Sequence, residues 1–579
     1  MADHNVDWEP CAKDGCSGVR LPTGMCWVHA ADTDLSAALK RLGERGHVDA
    51  RGVPITKELL RRLLAAAPKN DHGRPVLTNP RFDKATFKGK ATFKGGSGFY
   101  GTVFEGTASF GGATFEGTAS FGGATFQSDA GFYGTVFEGT AAFHGATFKG
   151  EAWFDGAIFK GEARFVEACF QRDAEFDRAT FHGDAWFNRA RVNYDADFLG
   201  ATFQQARRLG PMLVRKSLRL DLAVFHQRAQ VEVAAAAVCC RRAQFLAGVQ
   251  LRVRWAQLVL DDADLAAPSI LTGALPFQDV DEGRWARALQ RVQATGVHAG
   301  QPRLVSVRRA DVAGLAVAGV DMRACRFAGA HHLDQLRVEE CDFAHTPRGW
   351  RWTTRQTIAE EHHWRATRSH VPAGSGHGVA DSLPASTSRK IGRRRGWYRL
   401  AHRMPAWLGA EPPSPAQITV LYRALRKGRE DSKDEPGAAD FYYGEMEMRR
   451  HAKRAQIQQD YRRDHRGAAI ASAAEAAILW LYWLVAGYGL RAWRTLAALA
   501  MVIGLVGVEF SRVGFHHPHP SQVASWLYAL QATVSLEGKA RQLSGQLTLP
   551  GELLRVGLRF TGPVLLGLAL LSIRSRVKR

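Results

Sequence analysis

The sequence predicts a mainly β chain, a coiled solenoid of short strands, joined to an α-helical membrane region at its C-terminal end. Three observations carry this. Phenylalanines recur in alternating steps of five and six residues from Phe99 to Phe203, interrupted once by Val192. A small residue, usually alanine, stands two positions before almost every one of them. The most apolar segments, TLAALAMVIGLVGV from Thr495 and FTGPVLLGLALLSI ending at Ile573, lie at the far end of the 579 residues.

The stretch ASFGGATFEGTASFGGATF at 108–126 displays the repeat, an eleven-residue unit split five plus six, and GFYGTVFEGT recurs whole from Gly98 and from Gly131. A fixed self-similar period marks a repeat architecture. An α-helix turns about 100° per residue, so steps of five or six would throw successive phenylalanines to nearly opposite sides. Gly106, Gly111, Gly112 and Gly117 would each cost about 1 kcal/mol in such a helix. A long strand fails as well, because a five-residue step flips every second phenylalanine to the other face. What remains is a short extended segment, a corner, and another short segment. Phenylalanine points inward at mid-side, the small residue points inward near the corner, and Gly, Asp and Thr supply the turns. Stacked coils then share main-chain hydrogen bonds and a ladder of phenylalanines.

This A-x-F-x-x pattern resembles the pentapeptide-repeat family in a phenylalanine-rich form, and the resemblance implies a right-handed quadrilateral β-helix. It covers Phe82 to Phe203, about a fifth of the chain. Residues 310–346 return to looser A-x-L/V/F steps, and 206–309 read as degenerate coils or an insertion. The expected organisation is an N-terminal module at 1–35, a helical lead-in at 36–79, the β-helix at 80–205 and degenerate coils at 206–346. A Pro-, Ser- and Gly-containing linker follows at 347–418, then charged cytoplasmic helices at 419–465 and a membrane region at 466–579.

Charge narrows the function classes. The chain carries a formal +21, yet residues 81–205 hold 12 Lys and Arg against 15 Asp and Glu. The basic surplus lies elsewhere, notably in SRKIGRRRGWYRLAHR at 388–403. Members of the resembled family that mimic DNA need a dense acidic face, which so small an imbalance does not supply, and nucleic acid is not an expected partner. The helices of 419–465 alternate charges on a helical period, the pattern of a solvated or partner-facing surface.

No secretory signal is expected, because residues 1–30 lack the apolar run it needs. Two spans are expected at 495–512 and 556–573, each short against the roughly 20 residues a bilayer asks for. Glu509, Arg512, Arg555 and Arg559 then belong at interface depth. The Trp- and Tyr-rich segment 473–490 suits an interfacial helix. Arg491 and Arg494 before the first span and the RSRVKR tail after the second put both ends in the cytoplasm. The expected location is the cell membrane, multi-pass, with the N-terminal region cytoplasmic, His516–Pro520 outside, and Trp526 and Tyr528 at the interface. The paired spans also resemble the pore module of two-transmembrane potassium-type channels, with SQVASWLYALQATVSLEG at 521–538 in the pore-helix position. Thr533 and Val534 match the start of a filter; Ser535, Leu536 and Glu537 depart from it. VAGYG at 485–489 precedes the first span and reads as a turn with a tyrosine anchor.

Cys11, Cys16, Cys26 and His29 form the one metal-like constellation, C-x4-C-x9-C-x2-H, with glycines at 15, 18 and 24 for turns. Three thiolates and an imidazole suit tetrahedral zinc, and a closed set of four argues for a structural ion. Cys169 and Cys325 read as buried small hydrophobes within repeats, and the histidine pairs at 331 and 362 as surface or loop residues. No phosphate loop, nucleophile elbow or HExxH motif occurs. The expectation is a non-catalytic, membrane-anchored scaffold whose partners are the lipid bilayer and another protein, with homo-oligomerisation open. The alternative is an ion channel, or a sensor derived from one, gated by the cytoplasmic β-helix.

Overall fold

The computed structural model describes residues 7–88, 98–274, 276, 300–347, 354–367, 413–462, 466–516, 521–534 and 547–577. They divide into two compact units. The first reaches residue 347 and includes 358–363; the second holds 354–357, 364–367 and the residues from 413 onward.

The first unit is a parallel β-solenoid of about 10 turns. Each two-residue strand pairs with the strands two eleven-residue units before and after it, as Val136 does with Thr114 and with Ile158. One coil is therefore two of those units, and its four short segments make four sides. Within each strand the two side chains point oppositely. In Thr147–Phe148 the threonine is half-buried on the outside while the phenylalanine is fully inside. The inward rings build four columns. In one, Phe110, Phe132, Phe154 and Phe176 stack with centroids 4.8 Å apart; rings of neighbouring columns meet edge to face, as Phe132 and Phe143 do at 5.4 Å. The alanines fill the space beside the corners and are almost fully buried.

The alternation of five and six follows from two kinds of corner. In the five-residue step, the residue two after the phenylalanine is left-handed, with φ between 54 and 67° along the series from Gly101 to Gly200. Glycine takes that conformation freely, and a Cβ on Gly145 would meet nothing within 4 Å, so the constraint there is conformational. Glu167, Arg178 and Arg189 hold the same left-handed conformation without being glycine. One of the two six-residue corners keeps glycine for room, a Cβ on Gly139 standing 2.7 Å from the carbonyl carbon of Gly117 in the coil below, whereas the other also takes Ser128, Arg172 and Tyr194.

Residues 206–274 and 300–346 continue the coils. From Val224 onward each coil is two residues shorter, Val224 pairing with Gln244 and Val231 with Leu251. The shortening arises because two sides fuse into one straight strand, Ala229–Ala234 and then Val249–Arg254. Leu220, Cys240 and Leu260 continue the Phe198 column inside, while Leu218, Val238, Leu258 and Leu304 take over the alanine column after Ala196. Gln257 next pairs with Arg303, so an insertion is threaded between regular coils; 275 and 277–299 lie outside the described residues. Cys240 and Cys325 are fully buried, whereas Cys169 occupies the outward threonine position between Thr147 and Arg191 and is only half-buried.

Both ends of the stack are covered. At the start, helix α1 (Asp32–Arg45) and helix α2 (Lys57–Ala66) precede or follow the short strands His47–Asp49 and Pro54–Ile55, which pair with the first coil. The lead-in is thus part helix and part strand. Thr56 caps α2 by accepting from the Leu59 amide at 3.2 Å, and Leu59, Leu60, Leu63 and Leu64 are buried. At the other end, Glu360 Oε1 accepts from the amides of Phe327 at 2.6 Å and Ala328 at 3.1 Å. Its carboxyl is pushed up to about 7 by burial, against the pull of those amides and of Arg326. The pair His362–His363 lies buried in helix α3 (Ala359–Thr367) rather than on the surface, because this helix is buried on every side from Ala359 to Trp364.

The second unit is helical. Helix α4 (Pro415–Asp431) opens on a capping box at Ser414 and Gln417 and packs against helix α5 (Glu435–Arg462). Ile418, Tyr422, Leu425, Phe441 and Met448 fill the seam. Gly444 leaves room for the Tyr422 ring, whose Cζ would be 2.7 Å from a Cβ there. Helix α6 (Arg466–Ala486), helix α7 (Ala492–Glu509), helix α8 (Gln522–Val534) and helix α9 (Leu549–Val577) follow. Most of the expected linker, 368–412, lies outside the described residues, as does the basic run 388–403.

Candidate functional site

The four metal-like residues come together. Cys11 and Cys16 flank a turn closed by Cys16 N to Lys13 O at 3.1 Å, with Gly15 at φ 75°. Cys26 and His29 flank a second, closed by His29 N to Cys26 O at 3.1 Å. All four ligand atoms lie within 4.8 Å of one another. A tetrahedral ion with metal–sulfur bonds of about 2.3 Å and metal–nitrogen bonds of about 2.0 Å separates its ligands by roughly 3.5–3.8 Å. Cys16 Sγ and Cys26 Sγ are 3.8 Å apart, Cys11 Sγ and His29 Nδ1 3.5 Å, and Cys26 Sγ and His29 Nδ1 3.3 Å. The Cys26 amide also donates to Cys11 Sγ at 3.3 Å, which favours the thiolate.

Burial pushes the Cys26 thiol up to about 11, so a bare pocket holds it neutral. A dication reverses that preference and releases the proton. The cluster can therefore hold a metal ion, with Cys11, Cys16, Cys26 and His29 as its ligands. The module is pinned to the start of the solenoid: Val19 N donates to Arg51 O at 2.8 Å, and Trp27 Nε1 to Asp49 O at 2.6 Å. Ordering these turns orders the edge on which the first coil builds.

The second feature is the pair of long apolar helices. Ala492–Gly514 and Leu549–Ile573 each have a mean hydropathy of 1.8 and are long and apolar enough to cross a bilayer. At 1.5 Å per residue the shorter reaches about 35 Å, against a hydrocarbon core of about 30 Å. Only 11% and 22% of these windows are buried, and Met501, Leu505, Phe560 and Val564 face outward. A soluble protein leaves few such faces open.

Helix α8 packs against both long helices. Phe510, Phe515, Tyr528, Ala529, Ala532 and Leu558 make the joint core. Tyr528 is thus a core ring, not an interfacial one, while Trp526 stays half exposed and lies over Gly507, where a Cβ would be 2.4 Å from Trp526 Cδ1. A Cβ on Gly562 would likewise stand 2.5 Å from Thr533 Cγ2. Ser535, Leu536 and Glu537 lie outside the described residues, as do 517–520. In the VAGYG turn, Gly487, Tyr488 and Gly489 are all left-handed, and Tyr488 is buried against Tyr443 at 5.2 Å instead of anchoring at a surface.

Charge on the solenoid is arranged in ladders, a feature invisible in net composition. Residues one coil apart superpose, so Asp129, Glu151, Asp173 and Asp195 form one outward column beside Glu175, Asp177, Asp197 and Asp155. Burial and the neighbouring Asp155, Glu151, Asp177 and Asp173 push the Glu175 carboxyl up to about 7. Burial and Asp177 raise Asp197 to about 6 despite Arg219 at 2.6 Å. The coil register, two units long, was the signal that could have revealed this flank.

A family model for pentapeptide repeats matches residues 74–136, 132–180 and 170–207, in 9 copies. No curated protein and no solved structure matches the chain.

Proposed function

We propose that this pentapeptide-repeat protein is a non-catalytic scaffold anchored in the cell membrane by two spans, its solenoid held in the cytoplasm and offered to a protein partner. One observation carries the reading: two helices of membrane-spanning length keep their apolar faces open, while the solenoid consumes its apolar residues inside and exposes a rigid, charged flank. Lipid is the natural cover for the first surface. A partner protein is the natural reader of the second, and the acid-rich columns around Glu175 are the face that would present it with clustered negative charge. Arg491 and Arg494 before the first span favour a cytoplasmic N-terminal side. The ion at Cys11, Cys16, Cys26 and His29 is zinc in this reading, since three thiolates and an imidazole in a closed set are its preferred structural donors. Flotation of the full chain with liposomes, followed by an alkaline wash, tests the anchor; protein released by the wash contradicts it.

A second reading rests on helix α8, a short helix lodged between two spans and packed on both, as a pore helix would be. Several copies of this unit would then enclose an ion path gated by the solenoid. Conductance in planar bilayers favours this reading, and a silent bilayer with inserted protein favours the scaffold.

A further inference from the structure

In the second unit, Arg450 on helix α5 and Arg491 and Arg494 at the start of the first span gather in one place, while Glu475 on helix α6 is taken up by Arg449 and Lys453, each at 2.8 Å. Glu447 is the carboxylate at the centre. It accepts from Arg355 at 3.2 Å and from Arg365 at 3.2 Å, and Arg450 reaches only to 3.9 Å from it. Arg491 and Arg494 have no carboxylate within ion-pairing distance among the described residues. The guanidinium of Arg491 lies over the Tyr443 ring at 4.9 Å, that of Arg450 over Trp483 at 4.6 Å, and Arg494 Nη1 donates to Trp483 O at 3.3 Å. The rings fix these groups in place: Trp483 Nε1 donates to the Tyr443 hydroxyl at 3.0 Å, and Tyr488 packs edge-on against Tyr443.

Arg450 and Arg491 are more than nine-tenths buried, and so is Tyr488. The Arg450 Nε and the Tyr488 hydroxyl have no hydrogen-bond partner among the described residues. A buried guanidinium with no carboxylate partner, Arg491, beside one whose carboxylate stands 3.9 Å away, Arg450, together with an unused hydroxyl donor, is costly to maintain unless something negative completes the group. Planar guanidinium forks match a phosphate better than any other common anion. The site stands just before Ala492, where the first apolar helix begins, and the exposed Trp480 and Trp493 flank it. Exposed tryptophan at the end of an apolar helix marks headgroup depth.

We propose that Arg450, Arg491 and Arg494, with the Tyr488 hydroxyl, bind the phosphate of an anionic lipid headgroup. The half-buried Arg494 forms the open edge through which it enters. Headgroup binding then locks helix α5, which belongs to the charged cytoplasmic pair, to the start of the first span. The inference rests on the membrane reading above.

The test uses the full chain in phosphatidylcholine–detergent micelles, with thermal unfolding followed as phosphatidylglycerol is added, and a parallel arm with inorganic phosphate alone. The expected result is a saturable rise in Tm with phosphatidylglycerol. Tyr488→Phe, which removes one unpartnered oxygen and leaves the ring packing, raises the half-saturating lipid fraction about tenfold, the worth of one charge-assisted hydrogen bond. Arg491→Gln does the same or more. A rise with inorganic phosphate that both variants weaken supports the anion site and assigns free phosphate as its source. No rise in either arm overturns the proposal, as does a response in both variants equal to that of the unsubstituted chain. Failure to float with liposomes would remove the membrane reading while leaving the micelle arms to decide the site.

Discussion

Phe143→Ala probes the solenoid core at its densest point. The Phe143 ring is fully buried, stacks on Phe121 and on Phe165 at 4.9 Å, and meets Phe132 and Phe154 edge to face at 5.4 Å. Truncating a buried phenylalanine to alanine costs about 3–5 kcal/mol, the higher values applying where the surroundings cannot collapse. Here they cannot, since the coils above and below are fixed by main-chain hydrogen bonds such as Phe143 N to Arg164 O at 2.7 Å. Lost aromatic pairing, at roughly 0.5–1.5 kcal/mol per pair, is contained in that range and places this site in its upper half. A loss of about 4–5 kcal/mol is therefore expected. Phe187→Leu, at the end of the same column where Leu209 already follows, should cost about 1 kcal/mol because the volume change is small and the next layer is aliphatic. Urea unfolding monitored by far-ultraviolet circular dichroism measures both, and hydrogen exchange should place the weakening in the coils nearest Phe143. A loss below about 1 kcal/mol for Phe143→Ala, or equal losses at the two sites, would refute the ladder.

Gly145→Ala should destabilise by about 1–2 kcal/mol through backbone strain alone, and Gly139→Ala by more, because its Cβ meets the coil below; equal Tm shifts would contradict the two-corner geometry. The Glu360 carboxyl titrates near 7 when folded, above its ordinary 4.5, so its contribution is full below pH 4.5 and is lost as pH rises to 7. That amounts to about 3 kcal/mol, and Glu360→Gln should remove this component of the pH profile in melts between pH 5 and 8. Metal analysis of the full chain should give one zinc, and chelation should disorder the first 35 or so residues, read as a loss of amide protection there; a metal-free chain with intact protection would refute the site. Reconstituted protein should carry no potassium-selective current, and such a current would replace the scaffold by the channel.

The phenylalanine columns were legible because each inward position repeats one residue type at a fixed period, and the five–six alternation maps directly onto the two corners. The coils beyond Phe203 were not, since fusing two sides into Ala229–Ala234 shortens each coil and lets Leu, Val and Cys240 replace the rings. The metal ligands were legible from spacing alone, for a ligand set that begins at Cys11 and ends at His29 needs only turns to close it. Glu360, Tyr528 and the arginines around Tyr443 were not, because their partners arrive from distant segments and no periodicity announces them. Helix α8 shows the limit in miniature: its length and apolar character were readable, but which of Trp526 and Tyr528 turns inward depends on Gly507 and Phe510 in another helix.

The most direct measurement is the membrane partition of the full chain against a chain ending at residue 367, in the same flotation experiment with an alkaline wash. The full chain should remain with the lipid after the wash, and the shorter one should stay in solution with the β-rich circular dichroism of the intact solenoid. A full chain that is stripped from the vesicles, or a shorter one that still floats, would contradict an anchor formed by Ala492–Gly514 and Leu549–Ile573.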